Sequence, residues 1–413
     1  MKTLNNKKFT FFDKDLSMPN PIPEEGIKKA VELLETGNLY RYTCSTPEES
    51  EVSLFEKEFA EFTGARFALG VNSCGSALYI SLLSVGVKPG DDVLLSAFTY
   101  TAVPSAIINA NANPVLIECN ENYCIDLTDL KKKITPKTKV LILSHMRGHV
   151  SEMDAVVEIC QKNGICLIED CAHSVGATYG GLHTGRFGAI GCFSTQSHKM
   201  LNSGEGGVLI TDNEELIAKA ILYAGSQETF WKKHFIQSQY LEKYQESIPN
   251  ISMRMSNLTA AVLRAQIPYI KKWVLEYQEK YDALVTIISK SEFIAVPDQN
   301  KKVNRGPDTI QFNLKNFNAA EAERFVNILN QGGIGIKSFR SERNPRYYKN
   351  WKYINGIEKI HLPQTDNILQ FACDMRLPLW LTMKDIETIG NSILQVINII
   401  VEERRSASKV LGF

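Results

Sequence analysis

The chain has 413 residues, enough for two domains or one large one, and 46 basic side chains balance 46 acidic ones. A formal net charge of zero argues against a nucleic-acid surface or an anionic membrane surface as the main business of the protein. Nine cysteines, odd in number, irregularly spaced and without a C-x-x-C pair, describe a reduced, cytoplasmic protein with neither a disulfide framework nor a metal ligand set. Cys160, Cys166 and Cys192 sit inside apolar runs, where a thiol behaves as a small buried hydrophobe. The first sixteen residues, MKTLNNKKFTFFDKDL, lack the apolar core of a signal peptide. No run reaches the length of a membrane span, and neither internal repeats nor low-complexity tracts stand out.

In chain order, residues 1–20 read as an arm that packs on its own domain or on a partner subunit. Pro21 to Glu35 predicts a helix with a proline-marked start and a stop at Gly37. Ser50 to Phe62 predicts a second helix, with Phe55, Phe59 and Phe62 at core spacing. Phe67–Val71 is a short strand, followed by Asn72-Ser-Cys-Gly-Ser76 and a helix over 77–85. A small polar turn that opens a helix presents free N–H groups and the positive dipole end, which suits an anion. The plainer reading is an N-capped core helix. Strands at 93–95, 114–118 and 140–143 alternate with helices, which predicts an α/β fold with a mostly parallel central sheet flanked by helices.

Ile165 to Gly207 is the richest stretch. An apolar run, Ile165–Ile168, ends on Glu169 and Asp170. A strand that ends in a carboxylate marks the carboxyl edge of a parallel sheet, where open α/β folds bind ligands. A second apolar run, Ile190–Ser194, delivers one lysine, Lys199, ahead of Gly204-Glu-Gly-Gly207. Alone, such a lysine is a solvated charge and such an acid a cap or turn residue. Together they are the pair a pyridoxal phosphate (PLP) site requires: the acid keeps the pyridine nitrogen protonated and the lysine holds the aldehyde as a Schiff base. His183 lies in the glycine-rich excursion and reads as solvated.

Glu169-Asp170, His173, Phe193-Ser194, Lys199 and Gly204 to Gly207, in that order, resemble the DegT/DnrJ/EryC1/StrS family of PLP-dependent sugar aminotransferases. The resemblance extends over about residues 20–400. It implies a fold type I large domain (21–268) and a smaller α+β C-terminal domain (269–401); residues 402–413, charged and rich in small side chains, read as a frayed tail. By position it gives Asp170 the ring nitrogen, His173 the neighbourhood of the ring hydroxyl, Ser194 the phosphate, and Lys199 the aldimine and the proton transfers. Lys199, Asp170 and His173 are therefore the expected catalytic residues. Tyr100 takes the place of the aromatic that stacks on the ring, and the 145–154 loop resembles the one that passes over the cofactor. The phosphate turn, usually Ser-Gly-Thr-Ala-Ala-Leu, is here Ser73-Cys-Gly-Ser-Ala-Leu78, so Cys74 and Gly75 replace Gly-Thr, and the missing hydroxyl falls to Ser76 or to nothing. The family's asparagine that crosses to the neighbour's phosphate is replaced by Ser252, with Asn250 two residues earlier and Arg254 in place. One of the two would have to make that contact, in a homodimer whose sites lie at the interface.

The implied reaction moves an amino group from an amino acid, commonly L-glutamate, to a keto-carbohydrate through pyridoxamine phosphate. The altered turn, Thr195-Gln-Ser-His198 and the Asn250/Ser252 region point toward an acceptor without a nucleotide: a sugar phosphate, an inosose, or an 8-oxo 3-deoxy-octulosonate. A nucleotide-linked ketosugar is the alternative. PLP-dependent sugar dehydration is a further one, opposed by Lys199, since those relatives carry histidine there; His198 has no assigned role. A ligand-binding relative without activity is a third. Residues 227–250, polar and aromatic-rich, read either as a surface excursion or as a substrate-facing loop.

Overall fold

The computed structural model describes residues 12–410. Its central feature is a seven-stranded sheet. In chain order the strands are β1 (Phe67–Val71), β2 (Asp92–Ser96), β3 (Asn113–Ile117), β4 (Thr138–Ser144), β5 (Cys166–Asp170), β6 (Ile190–Ser194) and β7 (Gly207–Thr211). They lie in the order β1-β7-β6-β5-β4-β2-β3. The pairs β6–β5, β5–β4, β4–β2 and β2–β3 are parallel, whereas β7 runs antiparallel to both of its neighbours. Six strands thus point one way, and their carboxyl ends share one edge. The interior strands carry unbroken apolar runs in their middles, such as Val140–Leu143, because helices cover both faces.

Three helices from the first part of the chain matter here: α1 (Glu24–Thr36), α2 (Glu51–Thr63) and α3 (Cys74–Ser84). α1 stops at Gly37, whose φ of 70° is the left-handed geometry that ends helices. Ser50 caps α2 by accepting from Ser53 N. α2 buries Phe55 and Phe59 completely. Each contributes roughly 1.5–3 kcal/mol through burial. α3 begins three residues earlier than the sequence pattern predicts, because Ser73 is its cap and Cys74 its first residue.

Past a break at Ile267–Tyr269, α4 (Ile270–Ile288) leads to a four-stranded sheet: β8 (Ile294–Ala295), β9 (Thr309–Leu314), β10 (Ile336–Ser338) and β11 (Ala372–Arg376), in the order β8-β9-β11-β10. It carries a hydrophobic core of its own, closed by α5 (Met383–Val410) and joined by Phe12 and Leu16 from the expected arm. Residues 1–11 of that arm lie outside the described residues. The segment after β10 returns to the large sheet, where Phe339, Tyr348 and Trp351 are buried.

Two expectations fail in this description. The tail does not fray at 402: α5 continues through the described residues to Val410, and Arg404 is held by Glu321. Residues 227–250 are neither a bare surface excursion nor part of the cavity described below. Trp231, His234 and Leu241 are buried, and His234 joins a network with Arg41, Tyr42 and Glu56. No helix among the described residues is long and apolar enough to cross a membrane.

Candidate active site

At the carboxyl edge of the large sheet, facing the smaller one, lies a cavity of about 860 Å³. It gathers Lys199, Asp170, His173, Ser194, Tyr100 and the Ser73–Gly75 turn. Topology accounts for the gathering. Asp170 ends β5, Ser194 ends β6, and α3 opens directly after β1, all on the edge shared by the six co-directional strands.

The α3 turn is shaped for an anion. Ser73 Oγ accepts Ser76 N at 3.0 Å, which leaves the N–H groups of Cys74 and Gly75, the first of the helix, without intrahelical partners. Gly207 explains part of the glycine motif, since a Cβ there would lie 2.3 Å from the Ser73 carbonyl carbon. β7 can approach the turn only with no side chain at that position. Ser76 has its hydroxyl engaged within the turn. Its Oγ bonds Asn72 Oδ1 at 2.6 Å, and its side chain is absent from the cavity wall.

Asp170 is held from several sides. Ser144 Oγ donates to Oδ2 at 2.9 Å, Ala172 N to Oδ1 at 3.1 Å, and the Cys74 thiol lies 3.9 Å from Oδ1. Burial, with the Asp170 charge added, raises the Cys74 pKa well above a thiol's usual value, so it stays a neutral donor. Lys199 Nζ is 2.8 Å from His173 Nε2. Burial pulls the Lys199 pKa down to about 8, with Arg147 and Arg346 acting the same way and Asp308 and Asp170 opposing. Burial first, then the Lys199, Arg147 and Arg346 charges, push the His173 pKa well below normal. The imidazole is therefore neutral and can accept from the ammonium.

Glu169, next to Asp170, has a different job. It is fully buried, and its oxygens accept Gly185 N, Phe187 N and Gly188 N at 2.7–2.8 Å and His145 Nε2 at 2.9 Å. It ties the glycine-rich excursion to β5. Glu169, His145 and Cys171 bring possible metal-ligand atoms within 4.8 Å of one another. The carboxylate is already saturated by these hydrogen bonds, so the cluster is structural. His183 is not solvated as its surroundings in sequence suggest: it is buried, accepts Gly176 N at 3.0 Å, and packs against Phe62 and Phe193.

Asn250 and Ser252 are not brought to this cavity. Asn250 Oδ1 accepts Ser252 N at 2.7 Å and its Oγ at 3.0 Å, in a partly exposed turn. Three arginines also line the cavity. Arg147, in the left-handed region at φ 58°, bonds Asp374 of β11. Arg376 donates to His198 Nδ1 at 2.9 Å and to the carbonyls of Leu16 and Ser17. That pairing fixes the His198 tautomer with its proton on Nε2. Arg346 reaches the cavity from the loop after β10. The one cue in the sequence is Arg147 inside the 145–154 loop.

The sequence profile of the DegT/DnrJ/EryC1/StrS aminotransferase family matches residues 24–394, and the chain belongs to that family. Among curated relatives it is similar to the spore coat polysaccharide biosynthesis protein SpsC of Bacillus subtilis, 36% identical over 58% of this chain and 60% of that one. GDP-perosamine synthase of Caulobacter vibrioides is 32% identical over 52% of this chain and 55% of that one. L-glutamine:scyllo-inosose aminotransferase of Streptomyces griseus is 33% identical over 48% of each. The matched stretch thus spans about half to three fifths of these relatives. Among solved structures, the PLP form of Spr1654 from Streptococcus pneumoniae superposes with a TM-score of 0.81 at 20% identity, covering 93% of this chain and 98% of that one. At that identity the likeness bears on the fold, which is that of an α/β protein with a mostly parallel central sheet.

Proposed function

We propose that this protein is a PLP-dependent aminotransferase that moves the amino group of an amino acid, L-glutamate, to a keto-carbohydrate. The observation that carries this reading is the single cavity that holds Lys199, Asp170, Tyr100 and the free N–H groups of α3. The residues suit the cofactor. The α3 turn and Ser194 would hold its phosphate, Asp170 its pyridine nitrogen, and Lys199 its aldehyde carbon, with Tyr100 against the ring. When bound, PLP supplies an electron sink for the bond broken next to the transferred nitrogen.

The chain's own groups do the rest. Lys199 Nζ carries a proton between the substrate carbon and the opposite end of the transfer path, since its lowered pKa lets the amine act as base and acid near neutrality. His173 accepts from Nζ and keeps it in place. Ser144, Ala172 N and Cys74 hold the Asp170 carboxylate in place, where it would meet the ring nitrogen. The departures at Cys74-Gly75, 195–198 and Asn250/Ser252 support an acceptor without a nucleotide; the similarity to GDP-perosamine synthase supports the nucleotide-linked alternative. The reading includes a cytoplasmic homodimer, in keeping with nine free cysteines, and a division into two domains near Pro268, in keeping with a separate core around the smaller sheet.

L-Glutamate added to the PLP-loaded protein should bleach its visible absorbance and release 2-oxoglutarate. Colour that persists with every amino acid tried would contradict amino transfer. Asp170→Asn should retain cofactor yet lose roughly 10²–10³-fold in transfer rate, as expected for losing a fixed charge at the reacting group. An unchanged rate removes Asp170 from its assigned place. The pH dependence of cofactor capture tests Lys199. Only the neutral amine attacks an aldehyde, so capture by the cofactor-free protein should rise with pH through about 8. At pH 7 the neutral fraction exceeds that of an exposed lysine on the order of 10²-fold. A limb near the ordinary lysine value would show that burial does not depress this amine.

A further inference from the structure

The loop after β10 brings to the cavity wall a guanidinium that no acid among the described residues pairs. The Arg346 Nε is buried without a hydrogen-bond partner, although the residue lines the cavity. Among the described residues none forms an ion pair with it. Asp374, the acid whose charge it feels, is already bonded to Arg147 and to Gln311 Nε2. The Arg376 guanidinium is occupied by His198 and two carbonyls. One side of Arg346 faces Tyr100, with the guanidinium carbon 5.3 Å from the ring centroid. Burial and the Arg147 charge bring its pKa down to about 10, so it remains a cation at neutral pH. A cation partly withdrawn from water without a counter-charge is unfavourable. A planar fork suits two-pronged binding of a carboxylate or phosphate.

We propose that Arg346 is the anion-binding residue of the substrate site, and that the keto-carbohydrate acceptor bears an acid group of its own, a carboxylate or a phosphate. This rests on the aminotransferase reading and narrows its substrate class. In a two-stage transfer, donor and acceptor occupy one cavity in turn beside Lys199. The amino-acid donor brings a carboxylate to the guanidinium. A neutral acceptor would set hydroxyl groups against it and leave the charge uncompensated in the second stage. A sugar acid or a sugar phosphate compensates it in both stages, so neutral ketoses and inososes are disfavoured.

The test uses the cofactor-loaded protein and glutarate, a dicarboxylate that cannot react. By calorimetry the wild type should bind glutarate, Arg346→Gln should bind it at least about 10-fold more weakly, and Arg346→Lys should fall between. Cofactor affinity should be the same in all three. Displacement of glutarate then compares matched ligands: 5-keto-gluconate with scyllo-inosose, and fructose 6-phosphate with fructose. The acidic member should displace at a concentration at least about 10-fold lower in the wild type, with the preference gone in Arg346→Gln. Preference in only the first pair identifies a carboxylate, and in only the second a phosphate. Absent glutarate binding, unchanged binding in Arg346→Gln, equal displacement by neutral ligands, or loss of cofactor from that variant would each overturn the proposal. Binding needs no turnover, so failure here is distinct from failure of the L-glutamate half-reaction.

Discussion

On the proposed function, Lys199→Ala should give a folded protein whose amino transfer falls by at least about 10⁴-fold, because it would lose both the covalent anchor and the proton carrier. Nζ is positioned against His173 and faces Asp170 across the cavity, and the other amine on the wall, Lys337, belongs to the smaller sheet. Folding should survive. The side chain makes no ion pair among the described residues, and removing a desolvated ammonium relieves an unfavourable burial. Lys199→Arg should be as inactive, since a guanidinium stays protonated and forms no imine at neutral pH. Thermal unfolding and single-turnover absorbance separate the two properties. Transfer retained in Lys199→Ala would refute the assigned role.

The second large effect falls on stability. Glu169→Ala should lose about 4 kcal/mol or more. The substitution strips the acceptor from three backbone N–H groups and from His145 Nε2 around a side chain that is itself fully buried. Each buried donor left unsatisfied costs roughly 1–3 kcal/mol. Against a typical domain stability of roughly 5–15 kcal/mol, such a loss is severe. Glu169→Gln keeps one acceptor oxygen and should lose less. Denaturant unfolding measures both variants; a Glu169→Ala midpoint within about 1 kcal/mol of wild type contradicts this account of the 185–188 loop.

Glu169 and its neighbour Asp170 show what is legible in the sequence. An apolar run that ends in acids places Asp170 at a strand's carboxyl end, because strand period and burial are local properties. Gly37 and Ser50 are equally local, and the structure has them as stop and cap. Which acid faces the cavity is not local: side chains alternate along a strand, so Glu169 points into the opposite layer. The reversal of β7 is also hidden, since an apolar pentapeptide carries no direction. Arg147 and Asp374 meet from 227 residues apart, and Arg346 arrives in a loop without periodicity. His183 and Trp231 sit in polar stretches, yet the fold covers both.

The most direct test is borohydride reduction of the PLP-loaded protein followed by peptide mass mapping. A single pyridoxyl adduct on the peptide that carries Lys199 is the predicted result. An adduct on another lysine, or no adduct from a protein that binds the cofactor, would contradict the account.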